Sequence, residues 1–147
     1  MILYILDINK ETPFGSLLKS SLVYMGVAIF SLLFGLIYNH YGHGVTSNAM
    51  TYLFVYPLAG GTVFYMIIKM LFPLITGFTG YRMFFNLYNS GLAALMAGSL
   101  LTGIVEIAGT ESVYIKFFYY TGGGMILAGF MVLGMLMVNY KKIRHNI

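Results

Sequence analysis

Long apolar runs separated by short polar connections dominate the chain: Leu17–Tyr38, Met50–Phe72, Phe84–Ala108 and Phe117–Tyr140. Each exceeds the roughly 20 residues that an α-helix needs to cross a hydrocarbon core of about 30 Å. Membrane strands are about half as long, so a barrel does not fit the pattern. The runs predict an all-α integral membrane protein, a four-helix bundle forming a single domain over residues 1–147. The apolar stretch Met1–Leu6 is too short to span, and Thr12-Pro13 interrupts a helix, so residues 1–16 are read as an interfacial segment. No Lys or Arg precedes that stretch, and the first long run lacks a clean small-x-small cleavage pattern, so it is read as an uncleaved span.

Within the runs, residues that weaken or narrow a helix carry the remaining pattern. Pro57 removes a backbone donor and clashes one turn back, and the adjacent Gly60-Gly61 loosens the same stretch. A kink or local unwinding is expected there. Broken membrane helices mark binding sites in some transporters. Pro and Gly also serve close packing alone, and that plainer reading is preferred. Ser90, Ala94 and Gly98 recur every four residues in the third span, and Gly124 and Ala128 do so in the fourth. Residues four apart share a helix face, so these small faces are expected to join the two spans as a hairpin or to receive a partner chain. Ser47 or Asn48 is placed to cap the second span.

Composition and charge sharpen the picture. Only 8% of the residues are charged, where a soluble domain carries about 25%, so lipid must cover most of the surface. Cys is absent, which removes disulfide, thiolate-metal and thiol-redox chemistry. In a soluble chain the net charge of +4 would raise nucleic acid as a partner. Here Lys10, Lys19, Lys69, Arg82, Lys141, Lys142 and Arg144 flank the spans. Their charge is read as topology control and attraction to anionic lipid, with no nucleic-acid partner. The positive-inside rule puts both termini and the second connection in the cytoplasm, with Asn39–Ala49 and Gly109–Lys116 outside. Lys116 is the discordant charge, beside Glu111. Tyr38, Tyr41, Tyr52, Tyr56, Tyr114, Tyr119 and Tyr120 are expected to form an outer aromatic belt, and Tyr81, Tyr88 and Tyr140 an inner one.

Candidate chemistry gathers at the outer ends. His40 and His43 share one loop and could hold a divalent metal, with Glu106 and Glu111 completing the ligand set. Metal sites need three or four fixed ligands, so ordinary interfacial polar residues are the preferred reading and no cofactor is expected. Haem is disfavoured because neither His lies within a span. Glu106, in GIVEIAG, is the sharpest single residue, because a carboxylate near hydrocarbon usually has a partner or a purpose. At the inner side Arg82, Asn86, Asn89 and Asn139 form a polar cluster suited to interhelical hydrogen bonds. No nucleophile elbow, phosphate-cradling loop or HExxH pattern occurs.

The expectation is a small multi-pass protein of a bacterial cytoplasmic membrane. It would act without catalysis, as an accessory subunit or homo-oligomeric scaffold, with lipid, itself or other membrane chains as partners. One alternative is a small oligomeric transporter or channel using the outer polar site. Another is a membrane enzyme acting on a lipidic substrate.

Overall fold

A computed structural model describes residues 13–42, 44–72, 75–77 and 80–145, with side chains described from Ser16 to Val138 within those ranges. Helices account for nearly all of them, and no strand occurs among the described residues. Four are long and apolar enough to cross a membrane, which makes this a multi-pass membrane protein. They are α1 (Pro13–Tyr41), α2 (Asn48–Leu71), α3 (Tyr81–Ile107) and α4 (Ile115–His145). We call proximal the end where α1 starts and α4 finishes, and distal the end where α1 turns into α2 and α3 into α4.

The boundaries move from expectation in understandable ways. Pro13 is the first residue of α1, so the helix reaches into the segment read as interfacial. A proline at the first helical position forfeits only an N–H that has no intrahelical partner anyway. The rest of that segment, residues 1–12, lies outside the described residues. Ser47 caps α2, its Oγ accepting the Met50 N–H at 3.2 Å. Around Pro57 the second span becomes a π-helix over Tyr56–Val63, which contains Gly60 and Gly61, and α-helical geometry resumes at Phe64–Leu71.

Small residues determine how the helices approach. On α1 the buried face runs Leu17, Ser21, Ala28, Ser31, Gly35, with Ser21, Ala28 and Gly35 seven apart. A side chain at Gly35 would meet the Met50 carbonyl oxygen at 2.8 Å. Ser21 and Thr62 bind each other's backbone across the α1–α2 seam, at 3.1 and 3.3 Å. The α3–α4 hairpin is tighter still: a Cβ on Gly91 would lie 2.7 Å from the Gly122 carbonyl oxygen. The expected small stripe is displaced. Gly98 packs on Phe118 and Tyr119, but Ser90 is exposed and Gly124 has nothing within 4 Å. Gly91, Gly122 and Gly129 make the seam instead, and Ala94 and Ala128 are half-buried.

The core sits in the proximal half, where Leu17, Tyr65, Ile68, Phe84, Tyr88, Leu133 and Leu136 are buried together. Phe64 stacks on Tyr88 at 4.4 Å, and Phe130 of α4 lies edge-on to Phe64 at 5.7 Å. This corrects the inner aromatic belt. Tyr81 and Tyr88 are 8% and 4% exposed and belong to the core, and the Tyr140 side chain lies outside the described residues. Among the described residues no Cα of α1 comes within 8 Å of α3 or α4. The helices are thus layered in chain order, with α1 and α4 on opposite sides of the central pair.

Candidate functional site

At the distal end the backbone builds a polar cavity. The helix α3 ends in a left-handed glycine turn: Gly109 has φ +71°, its N–H reaches the Glu106 carbonyl at 3.1 Å, and Thr110 N–H reaches Val105 at 3.0 Å. That double closure satisfies carbonyls that the helix end would otherwise orphan. It also carries Thr110, Glu111 and Ser112 back over the last turn of α3. The first turns of α4 then supply Lys116 and Tyr119. Together with Thr102 and Glu106 these residues border a depression of about 340 Å³.

Hydrogen bonds fix its walls. The Ser47 hydroxyl, 1% exposed, already accepts the Met50 N–H and donates to the Glu106 carboxylate. One serine thus caps α2 and ties it to α3. Thr51 donates to the Ser47 carbonyl at 2.8 Å and accepts from Asn39 Nδ2 at 3.0 Å, which adds α1 to the chain. Thr102 gives its proton to the Gly98 carbonyl at 2.8 Å, so Tyr119, 3.1 Å away, donates to Thr102. The cavity lining thus includes two carboxylates and one ammonium, a composition that suits a cation or an amine.

Of the four outer residues singled out from the sequence, Glu106 and Glu111 meet at this cavity. His40 does not: it is exposed, edge-on to Tyr41 at 5.4 Å. His43 lies outside the described residues. Among the described residues no three His, Cys, Asp or Glu side chains gather as metal ligands. Comparison with known protein families, with curated proteins and with solved structures finds no match. The site must therefore be read on its own chemistry.

A second polar centre lies deeper, against the π-helix. Tyr24 from α1 and Tyr65 from α2 both donate to Asn89 Oδ1, at 2.7 and 2.6 Å. Tyr88 donates to the Gly60 carbonyl at 2.7 Å. The Tyr24 ring lies on Gly61, where a Cβ would fall 2.1 Å from the ring. Pro57, Gly60 and Gly61 thus lie in a stretch that receives aromatic side chains from both neighbouring helices. Tyr24, Tyr65 and Ser47 escaped the sequence reading as site residues, although a tyrosine in the middle of an apolar run must find an acceptor for its hydroxyl.

The inner cluster divides. Asn89 serves the tyrosines. Arg82 and Asn86 border a proximal cavity of about 340 Å³ with Ser16, Lys19 and Ser20 of α1. The Asn139 side chain lies outside the described residues.

Proposed function

We propose that this is a non-enzymatic subunit of a bacterial cytoplasmic membrane, with both termini in the cytoplasm, that assembles through the outer face of α4 with another copy or another membrane chain. One observation carries this reading. A glycine inside a helix costs about 1 kcal/mol relative to alanine. Gly91 and Gly122 offset that cost by letting two backbones touch, whereas Gly124 and Gly134 on the outward side of α4 meet nothing within 4 Å in their own chain. A second helix laid on that face would use them, as small residues do in membrane helix pairs. Leu127 and Met131, each 65% exposed, would flank the contact.

The test is association in lipid. With no native Cys, Leu127→Cys is expected to crosslink between chains. Gly124→Leu should lower the associated fraction severalfold, while Gly26→Leu, at an equally open glycine of α1, leaves it unchanged. Wild-type protein that stays monomeric in lipid and co-purifies with no membrane partner overturns the reading.

The meeting of Glu106 and Glu111 at one cavity favours a second reading, a small oligomeric transporter or channel that takes a cation or amine at the outer ends of the helices. Cation flux into proteoliposomes that is lost in Glu106→Gln supports it, and unchanged flux removes it.

A further inference from the structure

Five polar side chains are buried among the described residues: Ser21, Ser31, Ser47, Thr62 and Ser99. Four of them are hydrogen-bonded: Ser21 and Thr62 across the α1–α2 seam, Ser47 with Glu106 and Met50, and Ser99 with the Ala49 carbonyl at 2.9 Å. Ser31, 4% exposed, is the exception, and its hydroxyl has no partner among the described residues. Ser20 and Thr102 turn back to the carbonyl one turn earlier on their own helix; Ser31 does not. It borders an apolar cavity of about 240 Å³ and is the one polar side chain in the lining. The cavity arises because the described parts of α1 and α3 do not pack on each other. Phe30 and Phe34 of α1 line it with rings 6.2 Å apart and 27° from parallel. Met96 and Ala97 come from α3 and Leu53 from α2.

We propose that this cavity binds the ring of a lipid-soluble quinone, with a ring carbonyl accepting the Ser31 proton and the ring lying against Phe30 and Phe34. Size, chemistry and depth select this occupant. An apolar cavity of about 150 Å³ takes up benzene, so the larger volume here has room for a ring with its substituents. A water would find one polar side chain where it needs two to four partners. Ser31 lies seven residues from Tyr38 and fourteen from Leu17, the ends of the apolar run. At 1.5 Å per residue that is about 10 Å inside the hydrocarbon from its nearer edge. Phospholipid ester and headgroup oxygens stay in the interfacial layers outside that core, so an acyl chain at this depth offers the hydroxyl nothing. A quinone dissolves in hydrocarbon and carries its acceptors on a flat ring, which suits the phenylalanine faces and the Met96 thioether.

The chain has no Trp, so Phe30→Trp, at a position 68% exposed, gives a single reporter at the cavity. Leu127→Trp is the control on the open face of α4. Each is reconstituted in phosphatidylcholine vesicles and titrated with a decyl-tailed benzoquinone, whose ring quenches a nearby indole. Quenching should saturate at Phe30→Trp and rise without saturation at Leu127→Trp, as partitioning alone dictates. Added to Phe30→Trp, Ser31→Ala should raise the half-saturating concentration about fivefold, the worth of one hydrogen bond. Ser31→Thr should leave it close to that of the serine protein, which separates loss of the hydroxyl from loss of fold. Ala97→Phe, which fills the cavity, should abolish saturation. Quenching at Phe30→Trp that never saturates overturns the proposal. So does a half-saturation that Ser31→Ala leaves unchanged, which would make the cavity a slot for any apolar group. Crosslinking of Met96→Cys to a second copy would assign the cavity to a protein helix and overturn it too.

Discussion

Asn89 shows how much a single side chain can hold inside an apolar bundle. Its Oδ1 accepts hydroxyls from α1 and α2 while the residue itself sits on α3, so one amide joins three helices. Individual interhelical hydrogen bonds in membranes average about 0.6 kcal/mol, but a buried hydroxyl left with no acceptor costs about 1–3 kcal/mol. Asn89→Ala strands Tyr24 and Tyr65 together. It is expected to destabilise the protein by about 2 kcal/mol or more in mixed-micelle unfolding, while Tyr24→Phe alone costs well under 1 kcal/mol. Adding Tyr24→Phe and Tyr65→Phe to Asn89→Ala should recover part of the loss, because the orphaned hydroxyls are then gone. Strictly additive losses would show that the network is not a unit. The same logic separates roles at the distal cavity. Glu106→Gln keeps an acceptor for Ser47 and should unfold like wild type, so any functional loss in that variant reports charge. Ser47→Ala removes both the cap and the donor to Glu106 and should cost about 1–2 kcal/mol.

At the scale of elements, glycine position decides which helices can touch. Gly61 lies under the Tyr24 ring and Gly91 against the Gly122 backbone, where an added methyl group would fall 2.1 and 2.7 Å from its neighbour. Neither neighbour can yield without moving a helix. Gly60 meets Leu92 Cδ1 at 2.8 Å, the far end of a side chain that can turn away. Gly61→Ala and Gly91→Ala are therefore expected to destabilise by about 1–3 kcal/mol through overpacking, and Gly60→Ala by less. Gly123→Ala, with open space around it, should gain up to about 1 kcal/mol from helix propensity. Chemical unfolding of the four variants in one detergent checks the order, and a Gly61→Ala protein as stable as Gly123→Ala would refute the close approach of α1 to the π-helix. These contacts also show why the packing faces were only partly legible. The outward and inward sides of a membrane helix are both apolar, so hydrophobic periodicity carries no phase. Of the Ser90–Ala94–Gly98 stripe, Gly98 does pack on α4, but Ser90 is exposed, one residue away from the seam at Gly91. The seven-residue repeat Ser21, Ala28, Gly35 on α1 is hard to see because serine and alanine look unremarkable in an apolar run. Length is different: a run of about 20 apolar residues suits little besides a membrane span, so the spans themselves were plain.

For the whole molecule, charge rather than shape distinguishes the two ends. Lys19 and Arg82 border the proximal cavity, while the distal cavity joins Glu106 and Glu111 to Lys116. That asymmetry was readable from the sequence because flanking charges need only their place along the chain. The convergence of Glu106 and Glu111 was not readable, since it depends on the left-handed turn at Gly109 folding the loop back. The proposed orientation follows from the same asymmetry: retaining Lys and Arg on the cytoplasmic side places the proximal end inside. The absence of native Cys permits a direct check with a membrane-impermeant maleimide on intact cells. Gly77 in the proximal turn and Ser112 in the distal loop are both exposed. Ser112→Cys should label at once, and Gly77→Cys only after the membrane is permeabilised. The opposite order would invert the protein, putting the distal cavity with Glu106 and Glu111 in the cytoplasm and the proximal cavity with Lys19 and Arg82 outside. Equal labelling of both sites in intact cells would mean that copies insert both ways, as expected only if the flanking charges fail to outweigh Lys116.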